Sequence, residues 1–175
     1  MTAPDLLILV DSLDREIGFC EKTPAHAAPL LHRAFSVFLV DASGRLLLQK
    51  RAAGKYHSGG LWANSCCSHP RRGEALMDAA HRRLQEELGV DCPLAEIGSF
   101  VYCHRFADDL FEYEYDHVLI GCFDGPVSPN PEEIETTAWC AQQTLLDALR
   151  CHPERFAPWF LTAAPMVLAH LQKQP

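Results

Sequence analysis

The chain has no apolar run near the ~20 residues that a membrane-spanning helix needs; its longest early run is Leu6 to Val10. That run has no basic residue ahead of it and no small-residue cleavage site after it, so it does not read as a secretory signal. Basic residues are in deficit. Fifteen Lys and Arg face 23 Asp and Glu, for a formal net charge of -8, a field of the wrong sign for coating nucleic acid or an anionic membrane. No CxxC pair or small-scaffold spacing occurs among Cys20, Cys66, Cys67, Cys92, Cys103, Cys122, Cys140 and Cys151, so a reducing, cytoplasmic setting is expected. Repeats, low-complexity tracts and linkers are also missing. What remains is a chain of 175 residues, 48% hydrophobic and 22% charged, which predicts one globular domain over 1–175. The excess of carboxylates suits an enzyme that binds divalent cations.

The first thirty residues, punctuated by Pro4, Pro24 and Pro29, read as irregular. Ala34 to Val40 and Leu46 to Gln49 read as a hairpin about an Asp41–Gly44 turn. Residues 53–73 hold Gly54, Gly59, Gly60, Pro70 and Gly73 and read as one long loop, a length at which loops are usually functional. Glu74 to Leu88 carries a helical apolar stripe, with Gly89 as its stop. Strands are expected near Ala95–His104 and Phe111–Phe123, joined by a turn at 107–109, and again over Glu135–Cys140. Two helices follow, Thr144–Arg150 and Pro158–Leu171. Strands interleaved with helices predict an α/β or α+β fold.

Glu112 and Glu114 alternate on one strand and so share a face. At ~5 Å and an effective dielectric of ~20 they repel by about 3 kcal/mol. Either that face is solvated, or a cation or shared proton sits between them. His26, His32 and His69 could complete a nitrogen-and-oxygen metal site, although each alone is as compatible with a surface or core histidine. Glu86 and Glu87 close the predicted helix, where the macrodipole prefers cations. Their pairing with Arg82 and Arg83 has base before acid, the weaker order. Such a choice suggests another use, such as holding a cation for phosphates.

Glu74, Arg82, Leu84, Glu86, Glu87, Gly89 and Val90 fall in register with the Nudix box, which this stretch resembles. Ser68 stands where the box has its first glycine, and Arg83 stands where it has the glutamate of its R-E pair. A cation inside the box's metal-binding cluster speaks against diphosphate hydrolysis. A second resemblance is broader. Trp62-Ala-Asn64-Ser-Cys66-Cys67-Ser68-His69-Pro70, together with Ala25-His26, His32-Arg-Ala-Phe-Ser36, Glu112-x-Glu114 and Ala157-Pro158-Trp159-Phe160, resembles the type I isopentenyl-diphosphate isomerases. These motifs span about residues 20–160 in the family's order, and several ordered motifs are a more specific signal than any one. Ala63 departs from the family's threonine.

This resemblance implies a Nudix-like mixed sheet sandwiched by helices and interconversion of isopentenyl and dimethylallyl diphosphates. It implies a divalent ion of Mn or Zn type held by His26, His32, His69, Glu112 and Glu114. Cys67 and Glu114 would be the acid/base pair, Tyr102 would hydrogen-bond the catalytic glutamate, and Trp159 would face the isoprenoid carbons. Glu87 would hold Mg2+ against the diphosphate, with Lys22, Arg51, Lys55 and Arg83 as cationic contacts. A small-molecule isoprenoid diphosphate would be the partner, with neither nucleic acid nor membrane insertion, and the chain a monomer or weak homo-oligomer. A Nudix-type diphosphate hydrolase is the alternative, and a module whose metal only stabilises the fold is a third reading.

Overall fold

The computed structural model of the protein describes residues 6–106 and 110–173. Nine strands form a single mixed sheet: β1 (Leu6–Val10), β2 (Glu16–Glu21), β3 (His32–Val40), β4 (Leu46–Arg51), β5 (Trp62–Ala63), β6 (Cys66–Ser68), β7 (Leu94–Arg105), β8 (Phe111–Cys122) and β9 (Ile134–Cys140). The helices are α1 (Lys22–Ala27), α2 (Leu76–Leu88), α3 (Gln142–Cys151) and α4 (Phe160–Leu171). The turn expected at 107–109 lies outside the described residues.

The centre of the sheet is β3, which runs parallel to β8 from His32↔Glu114 to Val40↔Cys122. Its side chains alternate between two cores, as a strand buried on both faces must. Phe35, Val37 and Leu39 pack with Ala79, Ala80, Leu84 and Leu88 of α2. Phe38 and Val40 pack on the other face with Phe160, Ala163, Ala164 and Val167 of α4, Phe38 stacking on Phe160 at 5.8 Å. Helices thus cover both faces, as expected. Helix α2 ends where the sequence places its stop, with Gly89 at φ 67°, a left-handed cap that glycine adopts without a Cβ penalty.

Three expectations are corrected. Residues 6–27 are not irregular: β1 pairs with β2 and, at Leu9↔His32, with β3, so its continuous apolar run is that of an interior strand. β3 and β4 meet at Val40↔Leu46 alone, so they are not a simple hairpin. Residues 62–68, expected as loop, enter between them as β5 and β6, which pair with β4 and β3. The wedge is fixed by Ser65, whose Oγ accepts from Leu39 N at 2.8 Å and donates to Leu47 O at 2.7 Å.

Asn64 anchors this wedge to α4. Its fully buried amide donates to Cys66 O at 2.6 Å and Val37 O at 3.3 Å, and accepts from Trp159 Nε1 at 2.9 Å. Asn64→Ala leaves the buried indole N–H without its acceptor and removes the amide's two bonds to backbone carbonyls, and the expected loss is about 1–3 kcal/mol in urea unfolding.

Candidate active site

The site lies on the α4 face of the sheet, at the end of β3 and β8 that α4 does not cover. Towards that end the inward positions change character. On β3 they pass from Val40 and Phe38 to Ser36 and His32, and on β8 from Val118 to Asp116, Glu114 and Glu112, all buried. Parallel register sets His32 opposite Glu114. Tyr102 of β7 faces Glu114 from the other side. On the far edge of β3, Cys67 of β6 sits opposite Ser36.

His26, His32, His69 and Glu114 offer ligand atoms that all lie within 4.8 Å of one another. His26 Nδ1 bonds Lys22 O at 2.7 Å and His32 Nδ1 bonds Leu30 O at 2.8 Å. Each carbonyl takes the Nδ1 proton, which leaves the Nε2 lone pair free to ligate. Both Nε2 atoms are buried without a hydrogen-bond partner. Such atoms are costly unless something occupies the space before them. Burial holds His26 down to about 4 and His69 down to about 3, so both are neutral at pH 7. Three imidazole nitrogens and one carboxylate oxygen are a donor set that suits a divalent ion, and the residues therefore fit one.

Glu112 stands outside that group of four. Its Oε1 lies 2.8 Å from His57 Nε2 and its Oε2 2.8 Å from the Tyr102 hydroxyl, which also lies 2.8 Å from Glu114 Oε2. A hydroxyl has one proton to give, so one of the carboxyls must donate to it. Burial and the charge of Glu114 push Glu112 up to about 8. Burial also acts on Glu114, but the hydrogen bond from His69 at 2.8 Å and the nearby His32 ring outweigh it and hold that carboxyl well below its usual range. The geometry lets the pair share one proton, and burial beside Glu114 favours Glu112 as the carboxyl that holds it.

A cavity of about 190 Å³ opens beside these groups, lined by Glu112, Glu114, His69, Cys67, Trp159, Lys22, Arg51, Lys55 and Arg83. Arg51 is buried, and its Nε has no partner. Its Nη1 approaches Cys67 Sγ at 3.6 Å, and the guanidinium lies 5.1 Å from the centre of the Trp159 ring. A buried cation so thinly bonded is prepared for an anion. Burial pushes the Cys67 thiol up to about 12, against the pull of Arg51. Lys22, whose ammonium lies 4.8 Å from the Tyr56 ring centre, is lowered by burial and by Lys55.

The α2 residues come out differently. Arg82 grips Glu74 with Nε and Nη2 at 2.6 and 2.8 Å. Arg83 lies among Glu86, Glu87 and Glu133 and pairs with all three. Glu87 is buried, bonded to Arg83 and to Gln49 Nε2 at 3.3 Å, and does not line the cavity. Sequence reading also missed His57, Tyr56, Asp116 and Glu133. Asp116 alone carried a signal, as the third acid of the alternation Glu112-x-Glu114-x-Asp116. Glu133 ion-pairs with Lys55.

The chain carries a NUDIX domain, the family model matching residues 30–160, and its fold agrees. The crystal structure of DR0079 from Deinococcus radiodurans superposes with a TM-score of 0.77 over 92% of this chain and 98% of that one, at 22% identity. The MutT protein from Methanosarcina mazei gives 0.66 over 82% and 96%, at 14% identity. Within that superfamily the relatives are specific. Isopentenyl-diphosphate Delta-isomerase from Burkholderia multivorans is 53% identical over 154 residues, 88% of each chain. That from Serratia proteamaculans is 51% identical over 158 residues, 90% of this chain and 88% of the relative. The chain belongs to the isopentenyl-diphosphate Delta-isomerase family. Lys22 and His26 precede the span matched by the NUDIX model, so part of the site is built from the N-terminal segment.

Proposed function

We propose that the protein interconverts isopentenyl and dimethylallyl diphosphates, with Cys67 and Glu114 exchanging the two protons. One observation carries this reading: a thiol and a carboxylate, on strands that flank β3 from opposite sides, line one cavity with an aromatic ring and a buried, under-bonded guanidinium.

The reaction adds a proton to the terminal alkene carbon, leaving positive charge on the tertiary carbon, and removes a proton from the carbon on its other side. An alkene is a feeble base, so both groups must be close and water kept out. Because the reaction is reversible, each group donates in one direction and accepts in the other. Tyr102 fixes the Glu114 carboxylate. Trp159, held by Asn64, presents a π face worth about 2 kcal/mol to a desolvated cation. Arg51, Lys22, Lys55 and Arg83 grip the diphosphate, whose binding energy goes into orientation. His26, His32, His69 and Glu114, with Glu112 beside them, would hold a divalent ion of Mn or Zn type, which would supply charge that tunes Glu114. Mg2+ accompanies the diphosphate. We place the protein in the cytoplasm; no helix among the described residues is long and apolar enough to cross a membrane.

The test is turnover of isopentenyl diphosphate by metal-loaded and by chelated, gel-filtered protein. The loaded protein is expected to isomerise it and the stripped protein not. Full activity in a metal-free sample would remove the ion from this account. Released phosphate would favour a hydrolase, which Arg83 among the α2 glutamates argues against.

A further inference from the structure

His57 has no part in the chemistry described above, yet the loop that carries it is built around it. Residues 52–60 fold back on β4: Gly60 N bonds Arg51 O at 3.0 Å and Lys55 N bonds Ala52 O at 3.1 Å. The turn is so close that a Cβ on Gly59 would sit 2.6 Å from Ala53 O. Ser58 takes φ 53°, a left-handed conformation that a non-glycine residue adopts at a cost.

The result is an inward, buried His57. Its ring stacks on Phe106 at 4.7 Å and meets Trp159 edge-on at 6.0 Å. Its Nε2 lies 2.8 Å from Glu112 Oε1, and its Nδ1 3.3 Å from Ser58 Oγ. A side chain that merely filled this space could be apolar. An apolar one would leave Glu112 Oε1 buried without this partner.

We propose that His57 is a positioning residue that holds the Glu112 carboxyl by Nε2, so that Glu112, Tyr102 and Glu114 keep one arrangement beside Trp159. The proposal rests on the isomerase reading. His57 lines the cavity, but its role is exerted through Glu112, whose other oxygen lies 2.8 Å from the hydroxyl that also meets Glu114. Its ring also sets the spacing between the carboxyl row and the indole.

The test compares His57→Gln, which keeps an N–H near the position of Nε2, with His57→Met, of similar length and no donor. Turnover of isopentenyl diphosphate, metal content and thermal unfolding are measured for both and for the wild type. The Met variant is expected to lose about 10- to 100-fold in kcat with KM within about threefold, and Gln to stay within about fivefold of wild type. Metal content is expected to be unchanged in both. A Met variant with more than half the wild-type kcat, or a Gln variant as impaired as Met, would overturn the positioning role. Should Met fail to fold, Gln decides alone: within about fivefold supports the role, and a loss beyond about thirtyfold overturns it. A wild type without turnover sinks the isomerase reading and this proposal together. An active wild type with an unimpaired Met variant sinks only the proposal.

Discussion

Cys67→Ala is expected to lower kcat by at least about 10³-fold, towards the upper end of what one acid/base group contributes, while the protein keeps its fold and its metal. The effect is large because the substrate offers no alternative. An unactivated alkene accepts a proton only from a group pressed against it, and the cation that follows must lose a proton to a group equally close. The thiol stands on the cavity wall beside Arg51. It is not one of the four clustered ligands, so its loss is expected to leave them in place. Packing argues for a clean variant, since alanine keeps the Cβ and the half-buried side chain lines the cavity at the margin of the α4 core. Circular dichroism and metal analysis on the purified variant check the fold. Near-wild-type turnover would remove Cys67 from the acid/base pair.

Glu114→Gln should be equally inactive but not equally intact. The carboxylate at this position lies 2.8 Å from His69 Nε2 and 3.5 Å from His32 Nε2, and 2.8 Å from the Tyr102 hydroxyl. The amide can neither exchange a proton nor supply the negative charge of the ligand group. The expected result is a loss of at least about 10³-fold in kcat together with reduced metal content. Metal analysis thereby separates the two sites: Cys67→Ala keeps the ion and Glu114→Gln weakens it. If Glu114→Gln retained full metal and substantial turnover, both roles given to this residue would be wrong.

The sequence made some of this legible, for physical reasons. The period-two spacing of Glu112 and Glu114 puts them on one face wherever that strand lies, and the structure adds only that the face is buried. Helix α2 was readable because its stripe and its left-handed Gly89 are local properties. The run from Trp62 to Pro70 was readable by resemblance, though not as strands: β5 and β6 exist because Ser65 and Asn64 bond to chain far away in sequence. The same non-locality hid β1 and β2. Leu6–Val10 has no alternation because both of its faces are covered, Leu7 and Ile8 being buried on opposite sides. His57 and Glu133 gave no signal, each lying in a loop with no periodic spacing to give it a face, and only the fold shows that one meets Glu112 and the other lies between Lys55 and Arg83. On α2 the structure shows what the glutamates pair with in the chain itself: Arg83 lies against both Glu86 and Glu87.

The most direct test of the account is proton NMR of isopentenyl diphosphate incubated with the metal-loaded protein in D2O. The account predicts growth of dimethylallyl methyl signals towards a fixed ratio, with deuterium entering the methyl carbon that receives the proton and no inorganic phosphate released. An alkene left unchanged by protein shown to hold its metal, or phosphate appearing with the double bond unmoved, would contradict it.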